Sequence, residues 1–243
     1  MTDKKSNAFR LGLALALSLS ASAAAETFLQ KLLRISGISA TPSLQKSDED
    51  DMPGGGQIWI AGPPGAARKL TGDSGYRSPI FSPDGRFILA VRSNDIWRVL
   101  LAGGSSKKIH TVPNLSKLIG FDSTDTNQLC LLQENEGQAT VTILLLTSGL
   151  TMPLEYDRQD RQSRRMITHL KAWERDYGPL KVYPEKQRKK GLSGDIEWND
   201  VFLKRGDDDP INLSKSDGIN CGQPSVSLNG DQVVFIKAIS PAE

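Results

Sequence analysis

One segment occurs twice in the chain, and that duplication constrains the fold more than any other feature. Arg77-Ser-Pro-Ile-Phe-Ser-Pro-Asp-Gly-Arg-Phe-Ile-Leu-Ala90 aligns without gaps on Gly222-Gln-Pro-Ser-Val-Ser-Leu-Asn-Gly-Asp-Gln-Val-Val-Phe235, with 145 residues between equivalent positions. Each copy opens with an extended X-Pro stretch, passes through Asp84-Gly85 or Asn229-Gly230, and ends in a β-rich run. Glycine takes positive φ without steric cost and the preceding Asx side chain tolerates the turn, so each copy predicts a hairpin.

A second element recurs beside the first. Gln57-Ile-Trp-Ile60 and Asp95-Ile-Trp-Arg98 lie 38 residues apart, and Asp200-Val-Phe-Leu203 is similar to both. Each is followed by a glycine-containing turn and a further short strand: Ala67 to Thr71, Ser106 to His110 and Pro210 to Ser214. A degenerate copy fits the same frame. It places Phe121 40 residues after Phe81, with Gln128 to Leu132 and Thr140 to Leu146 as strands, although its turn lacks the Asp-Gly pair.

Four short strands in each unit of about 40 to 50 residues is the signature of propeller blades. The expected fold is therefore all-β, a β-propeller of four four-stranded blades; a strand within Arg34 to Leu44 would permit a fifth. The chain enters with a third and a fourth strand, Gln57 to Ala61 and Ala67 to Thr71. It leaves with a first and a second, Gln223 to Val226 and Gln232 to Ala238. These four should complete one blade, so that pairing of the N- and C-terminal strands closes the ring through antiparallel ladders.

The residues also carry a family resemblance. Ser78-Pro-Ile-Phe-Ser-Pro-Asp-Gly-Arg-Phe-Ile-Leu-Ala90, preceded by Arg68-Lys-Leu-Thr71 and followed by Asp95-Ile-Trp97, resembles the repeat of TolB-type, WD-repeat-like β-propellers. The resemblance covers residues 57 to 111 and 195 to 238. It implies protein–protein interaction in the periplasm, near envelope complexes. The stretch between Ala25 and Gln57 is too short for the N-terminal domain of TolB proper, so only the repeat is carried across.

Export is expected from the N-terminus itself. Residues 1–25 combine a basic start (Lys4, Lys5, Arg10), the apolar run Leu11 to Leu19 and small-residue exits, Ala21-Ser22-Ala23 and Ala23-Ala24-Ala25. The run is too short to remain as a spanning helix. Cleavage after Ala25 would leave Glu26 as the first residue of a periplasmic or secreted protein. No cysteine stands near the cut to take a lipid, so no stable membrane anchor is expected. Removing Lys4, Lys5, Arg10 and the one acid, Asp3, from totals of 30 and 28 leaves 27 basic and 27 acidic residues. A neutral chain offers no general field for nucleic acid, which is not expected as a partner.

Residues 26–56 read as an N-terminal extension ending in the acidic, glycine-rich loop Asp48-Glu-Asp-Asp51 and Gly54-Gly-Gly56, and the propeller should occupy 57–243. Within it, a basic insertion at about 157–190 holds eleven Lys or Arg against five Asp or Glu. A helix or an irregular outer strand is expected around Ser163 to Tyr177. Charge and aromatics combine here, so Arg164, Arg165, Trp173, Arg175, Lys186, Arg188, Lys189 and Lys190 form the candidate partner-binding surface. A solvated charged loop is the simpler alternative.

Catalytic chemistry finds little support in the sequence. There are two histidines, His110 and His169, and no Gly-x-Ser-x-Gly elbow. His110 ends a strand, where a half-buried imidazole is the simpler account. No close set of His and Cys residues could hold zinc, and phosphate-loop and dinucleotide glycine patterns are missing, so no catalytic residue, cofactor or metal is assigned. Asp207-Asp-Asp209 could hold calcium, but it stands where the repeat needs a hairpin turn. Trp59 and Trp97 occupy one repeat position and should wedge between blades. Asp84 and Asp95 should serve turn bonding and strand-end capping. Cys130 falls within a strand and Cys221 precedes a turn-rich segment; in an oxidising compartment they could be bonded or free. The expected function is a non-catalytic, extracytoplasmic protein-interaction module with a protein partner in the cell envelope. The rivals are a carbohydrate-binding or hydrolytic propeller using tunnel carboxylates, and an accessory propeller of a peptidase system.

Overall fold

In the computed structural model, the described residues are 55–62, 66–122, 125–135, 138–154, 175–176, 180–191 and 194–239. They carry sixteen strands and, among the described residues, no helix. The fold is all-β, and the strands form four antiparallel sheets of four strands each.

Three sheets follow chain order. The first contains β3 (Tyr76–Phe81), β4 (Phe87–Arg92), β5 (Asp95–Leu100) and β6 (Ser106–Thr111). The second contains β7 (Leu115–Phe121), β8 (Gln128–Asn135), β9 (Gln138–Leu145) and β10 (Thr151–Pro153). The third contains β11 (Arg175–Asp176), β12 (Leu180–Gly191), β13 (Gly194–Arg205) and β14 (Ile211–Asn212). The fourth, terminal sheet is assembled from both ends of the described chain. Its order is β15 (Cys221–Val226), β16 (Val233–Lys237), β1 (Gln57–Ala61) and β2 (Arg68–Lys69). β1 and β16 pair in continuous antiparallel register from Gln57 opposite Lys237 to Ala61 opposite Val233. The blade expected from two chain ends is thus present as one sheet.

The predicted hairpin turns also form for the stated reason. Gly85 and Gly230 have φ of 66° and 75°. Each donates its N–H to the serine three residues back, Ser82 or Ser227, at 2.9 Å. Asp84 accepts from the Ser82 hydroxyl (2.6 Å) and the Arg86 N–H (3.1 Å), which is the local bonding expected of an Asx turn.

Apolar alternation turns one face of each sheet toward the next. Leu180, Val182, Val201 and Leu203 of the third sheet pack with Val226, Val233 and Phe235 of the terminal sheet. Ile58, Ile60, Val234 and Ile236 of the terminal sheet meet Tyr76, Ile88 and Val99 of the first. Leu89, Val91 and Ile96 of the first sheet meet Leu118, Leu129, Leu131 and Leu144 of the second. At about 25 cal/mol per Å² of apolar surface, these joints are the main source of stability. A further cluster, Ile119 and Cys130 with Leu132, Val141 and Ile143, covers the other face of the second sheet.

The edge strands β15, β3 and β7 also carry polar links between sheets. Ser78 and Gln223 precede prolines at the same repeat position, and both sit in left-handed backbone, with φ of 52° and 54°. The β3–β4 and β15–β16 registers shift there. The resulting bulge sends each side chain into the neighbouring sheet. Gln223 Oε1 accepts from Ser78 N–H at 2.7 Å, and Ser78 Oγ accepts from Leu118 N–H at 2.9 Å. Arg77, beside this bulge, donates to the carbonyls of Leu115 and Ser116 (2.6 and 3.3 Å), and burial lowers its pKa.

Candidate functional site

β12 and β13 are twelve residues each, whereas β11 and β14, the strands on either side of them, are two residues each. Among the described residues, β11 pairs with β12 at Lys181 and Val182, and β14 pairs with β13 at Phe202 and Leu203. The β12–β13 ladder nevertheless continues to Gly191 opposite Gly194. Among the described residues, a two-stranded ribbon therefore runs on beyond the four-stranded part of the third sheet.

Four of the candidate binding residues, Lys186, Arg188, Lys189 and Lys190, lie on this ribbon. This part of the predicted basic insertion is a regular strand of the repeat. Its lack of apolar alternation reflects exposure on a ribbon, where no face needs burial. Arg175 lies in β11. Arg164, Arg165 and Trp173, together with the helix or outer strand expected around Ser163 to Tyr177 except for Arg175–Asp176, fall outside the described residues. The signal peptide, the Asp48–Asp51 loop and the fifth-blade segment Arg34 to Leu44 fall outside as well.

The ribbon's charges are largely matched. Residues opposite one another in an antiparallel ladder share a face. Arg188 and Lys190 stand opposite Glu197 and Asp195. Lys186 Nζ reaches Glu197 Oε2 at 2.7 Å, Arg188 binds Asp195, and Lys189 Nζ reaches Asp217 of the β14–β15 loop at 3.0 Å. The hydrogen bond and charge of Lys186, with help from Arg188, hold the Glu197 carboxyl below its ordinary pKa. The run read as a basic patch is thus a patterned surface, with cations on β12 and anions on β13 and the adjoining loop. These acids were missed, but Asp195 and Glu197 alternate with the same period of two as Arg188 and Lys190.

At its root, the ribbon is anchored by a buried polar knot. Asp200, 3% exposed, accepts from the hydroxyls of Ser214 (2.6 Å) and Ser216, from Asn212 Nδ2 (2.8 Å) and from Ser216 N–H (3.0 Å). Burial pushes this carboxyl up, but the combined hydrogen bonds outweigh it and leave the pKa below normal. With every contact made to local turn residues, Asp200 secures the β13–β14 turn and loop.

The other sequence candidates have structural settings. His110 Nε2 lies 2.7 Å from Leu146 O, tying β6 to the β9–β10 hairpin; His169 is outside the described residues. Trp97 packs on the joint between the first and terminal sheets and Trp59 on that between the terminal and third. Each is faced by a cation at one repeat position, Arg92 at 5.5 Å and Lys237 at 4.7 Å. Asp207 to Asp209 lie in the exposed turn after β13, and no metal-type cluster occurs among the described residues. Cys130 and Cys221 are buried free thiols. No helix among the described residues is long and apolar enough to cross a membrane.

No family model matches the chain, and no curated protein matches it in sequence. Solved structures similar to it include a TolB-designated protein from Agrobacterium tumefaciens, at 16% identity and a TM-score of 0.36. That match covers 72% of this chain and 59% of the other, which is less than two thirds of its length. The β-propeller domain of the trilobed protease from Pyrococcus furiosus is 16% identical with a TM-score of 0.28, covering 72% and 68%. An oligogalacturonate lyase from Vibrio parahaemolyticus is 9% identical with a TM-score of 0.32, covering 72% and 81%. Such distant likenesses transfer no activity, ligand or partner.

Proposed function

We propose that this chain is a non-catalytic, extracytoplasmic propeller module that binds a protein partner of the cell envelope through the β12–β13 ribbon. In this reading the ring of sheets closes where the second sheet meets the third. The observation that carries this reading is the ribbon itself: twelve-residue strands flanked, among the described residues, by two-residue neighbours, and bearing Lys186, Arg188, Lys189 and Lys190 on an exposed surface. Length beyond the needs of sheet pairing has a cost in ordering about 1–2 kcal/mol of backbone entropy per residue, which contact with a partner would offset. The N-terminal segment supports export, and the resemblance to TolB-type repeats agrees with an envelope partner.

The test is affinity capture from a periplasmic extract with the processed chain, beside a variant carrying Arg188→Ser, Lys189→Ser and Lys190→Ser. A partner retained by the former and lost by the latter is the expected result. Equal retention removes the ribbon from the reading, and recovery of the chain with residue 1 intact in the cytoplasm removes export.

A further inference from the structure

The hydrogen-bond phase of the ribbon decides which residues present an open edge. Val201 donates its N–H to Ser214 Oγ (3.0 Å) and accepts at its carbonyl from Leu213 N–H (2.8 Å), so its backbone groups point away from β12. Its ladder partner Pro184 must then point its own backbone away from β13, because directly opposed residues either exchange both bonds or neither. The phase repeats every second residue. Arg188 and Lys190 therefore aim their N–H and C=O groups at the outer edge of β12, where no strand lies beside them among the described residues. Their neighbours Gln187 and Lys189 turn inward to β13.

Two properties coincide at these positions. The residues offering backbone bonds at the edge are also the ones that place cationic side chains together on one face, and both are exposed. We propose that this edge of β12 accepts an extended acidic segment of the partner as an added strand, with carboxylates at alternate positions beside Arg188 and Lys190. This inference rests on the ribbon being the contact element of the proposed module.

The charge geometry selects the occupant. A strand added at this edge would lie about 4.8 Å from β12, its opposed side chains within roughly 5.5 Å of Arg188 and Lys190. Asp195 and Glu197, on β13, would be about twice as far from it. The incoming strand therefore meets the cations first and the anions only through them. Antiparallel pairing with a second copy of β12 would set like charges opposite one another, which is unfavourable, and lysine on an edge discourages indiscriminate strand pairing. An acidic strand converts that guard into an attraction, while main-chain bonds supply affinity in the usual manner of strand addition.

The experiment measures fluorescence anisotropy of a labelled eight-residue peptide alternating Glu and Val, titrated with the full processed chain at low salt. Controls are the same peptide with Lys for Glu, and the acidic peptide N-methylated at every second residue in each of the two phases. On the protein side, Arg188→Pro removes the outward N–H without touching the bonds to β13, as Pro184 already does in the same phase. Arg188→Gln removes only the charge. Circular dichroism and thermal melting establish that both variants fold.

The expected result is binding of the acidic peptide alone, weakened about tenfold or more by methylation in one phase and by Arg188→Pro, the scale of one or more lost hydrogen bonds. Arg188→Gln should weaken it less. Equal binding of methylated and unmethylated peptides, or no binding of the acidic peptide, overturns strand addition. The two readings separate in the capture experiment. A partner lost from the serine variant but held by Arg188→Pro overturns the edge and keeps the module, whereas no effect of either variant removes both.

Discussion

Gln223 Oε1 accepts a hydrogen bond from the backbone N–H of Ser78 at 2.7 Å, and the two residues occupy the same position in repeat copies 145 residues apart. Each stands in left-handed backbone before a proline, a region disfavoured for non-glycine residues and for residues preceding proline. The strain is repaid by what the bulge makes possible. Gln223 satisfies the N–H of the next sheet's bulge, and Ser78 in turn satisfies Leu118 one sheet further on. Position 118 is leucine, so the relay among these repeat positions ends there.

Replacing Gln223 with leucine keeps much of the side-chain volume but leaves Ser78 N–H buried without its partner. Loss of about 1–3 kcal/mol of stability is expected, the cost of an orphaned buried donor. Urea denaturation of the Gln223→Leu variant measures it. A change within about 0.5 kcal/mol, as for an ordinary surface substitution, would mean that the link contributes nothing.

Asp200 gives a pH-dependent counterpart. Its folded pKa is depressed by hydrogen bonds from Ser214, Ser216 and Asn212 that more than offset burial. A carboxyl with a folded pKa below its unfolded value, about 3.9, contributes stability above that value and loses the contribution as pH falls through the folded pKa. Asp200→Asn should therefore cost about 1–3 kcal/mol at pH 7. The gap between wild type and variant should narrow below about pH 4. Thermal melts at pH 7, 4 and 3 check the sign; a gap that widens with acid would refute the assignment.

Sequence made the paired units legible where punctuation and alternation agree. The strands expected at Gln57 to Ala61, Gln128 to Leu132 and Gln223 to Val226 appear as β1, β8 and β15, and the Asp84-Gly85 and Asn229-Gly230 turns lie between the strands they were expected to join. β12 was hidden because Lys186 to Lys190 carries no apolar face to mark a strand. Its ribbon emerges only once the β12–β13 ladder is followed out to Gly191 opposite Gly194. The candidate site was half legible for the same reason. Its cations form a run, whereas Asp195, Glu197 and Asp217 come from segments assigned to another repeat unit. The Gln223–Ser78 link was invisible because it depends on the bulge and its φ, not on residue type.

The two cysteines should behave as inert core residues. Burial, with a smaller push from Asp122, raises the Cys130 thiol to about 12; burial likewise raises Cys221 to about 11, against partial opposition from nearby hydrogen bonds and Lys237. Thiolate is the reactive form, so neither should react appreciably with a maleimide at pH 7 while the chain is folded. Two additions by mass spectrometry are expected in denaturant without reductant. Rapid native labelling, or labelling that requires reductant, would contradict buried free thiols.

Ribbon ion pairs should matter little for stability, and this makes the binding tests interpretable. The side chains of Arg188 and Lys189 are 66% and 61% exposed, and their partners Asp195 and Asp217 are 33% and 75% exposed. Exposed pairs contribute about 0–1 kcal/mol each, and salt screens them. The Arg188→Ser, Lys189→Ser and Lys190→Ser variant should therefore unfold within a few degrees of wild type, and 1 M NaCl should narrow the difference. Calorimetry at 50 mM and 1 M NaCl provides the check. A loss above about 3 kcal/mol would show that these side chains hold the third sheet together. Near-equal stability would mean that any partner lost from the variant is lost at the ribbon surface, because the core between the third and terminal sheets, built on Val182, Val201 and Phe235, is untouched by the substitutions.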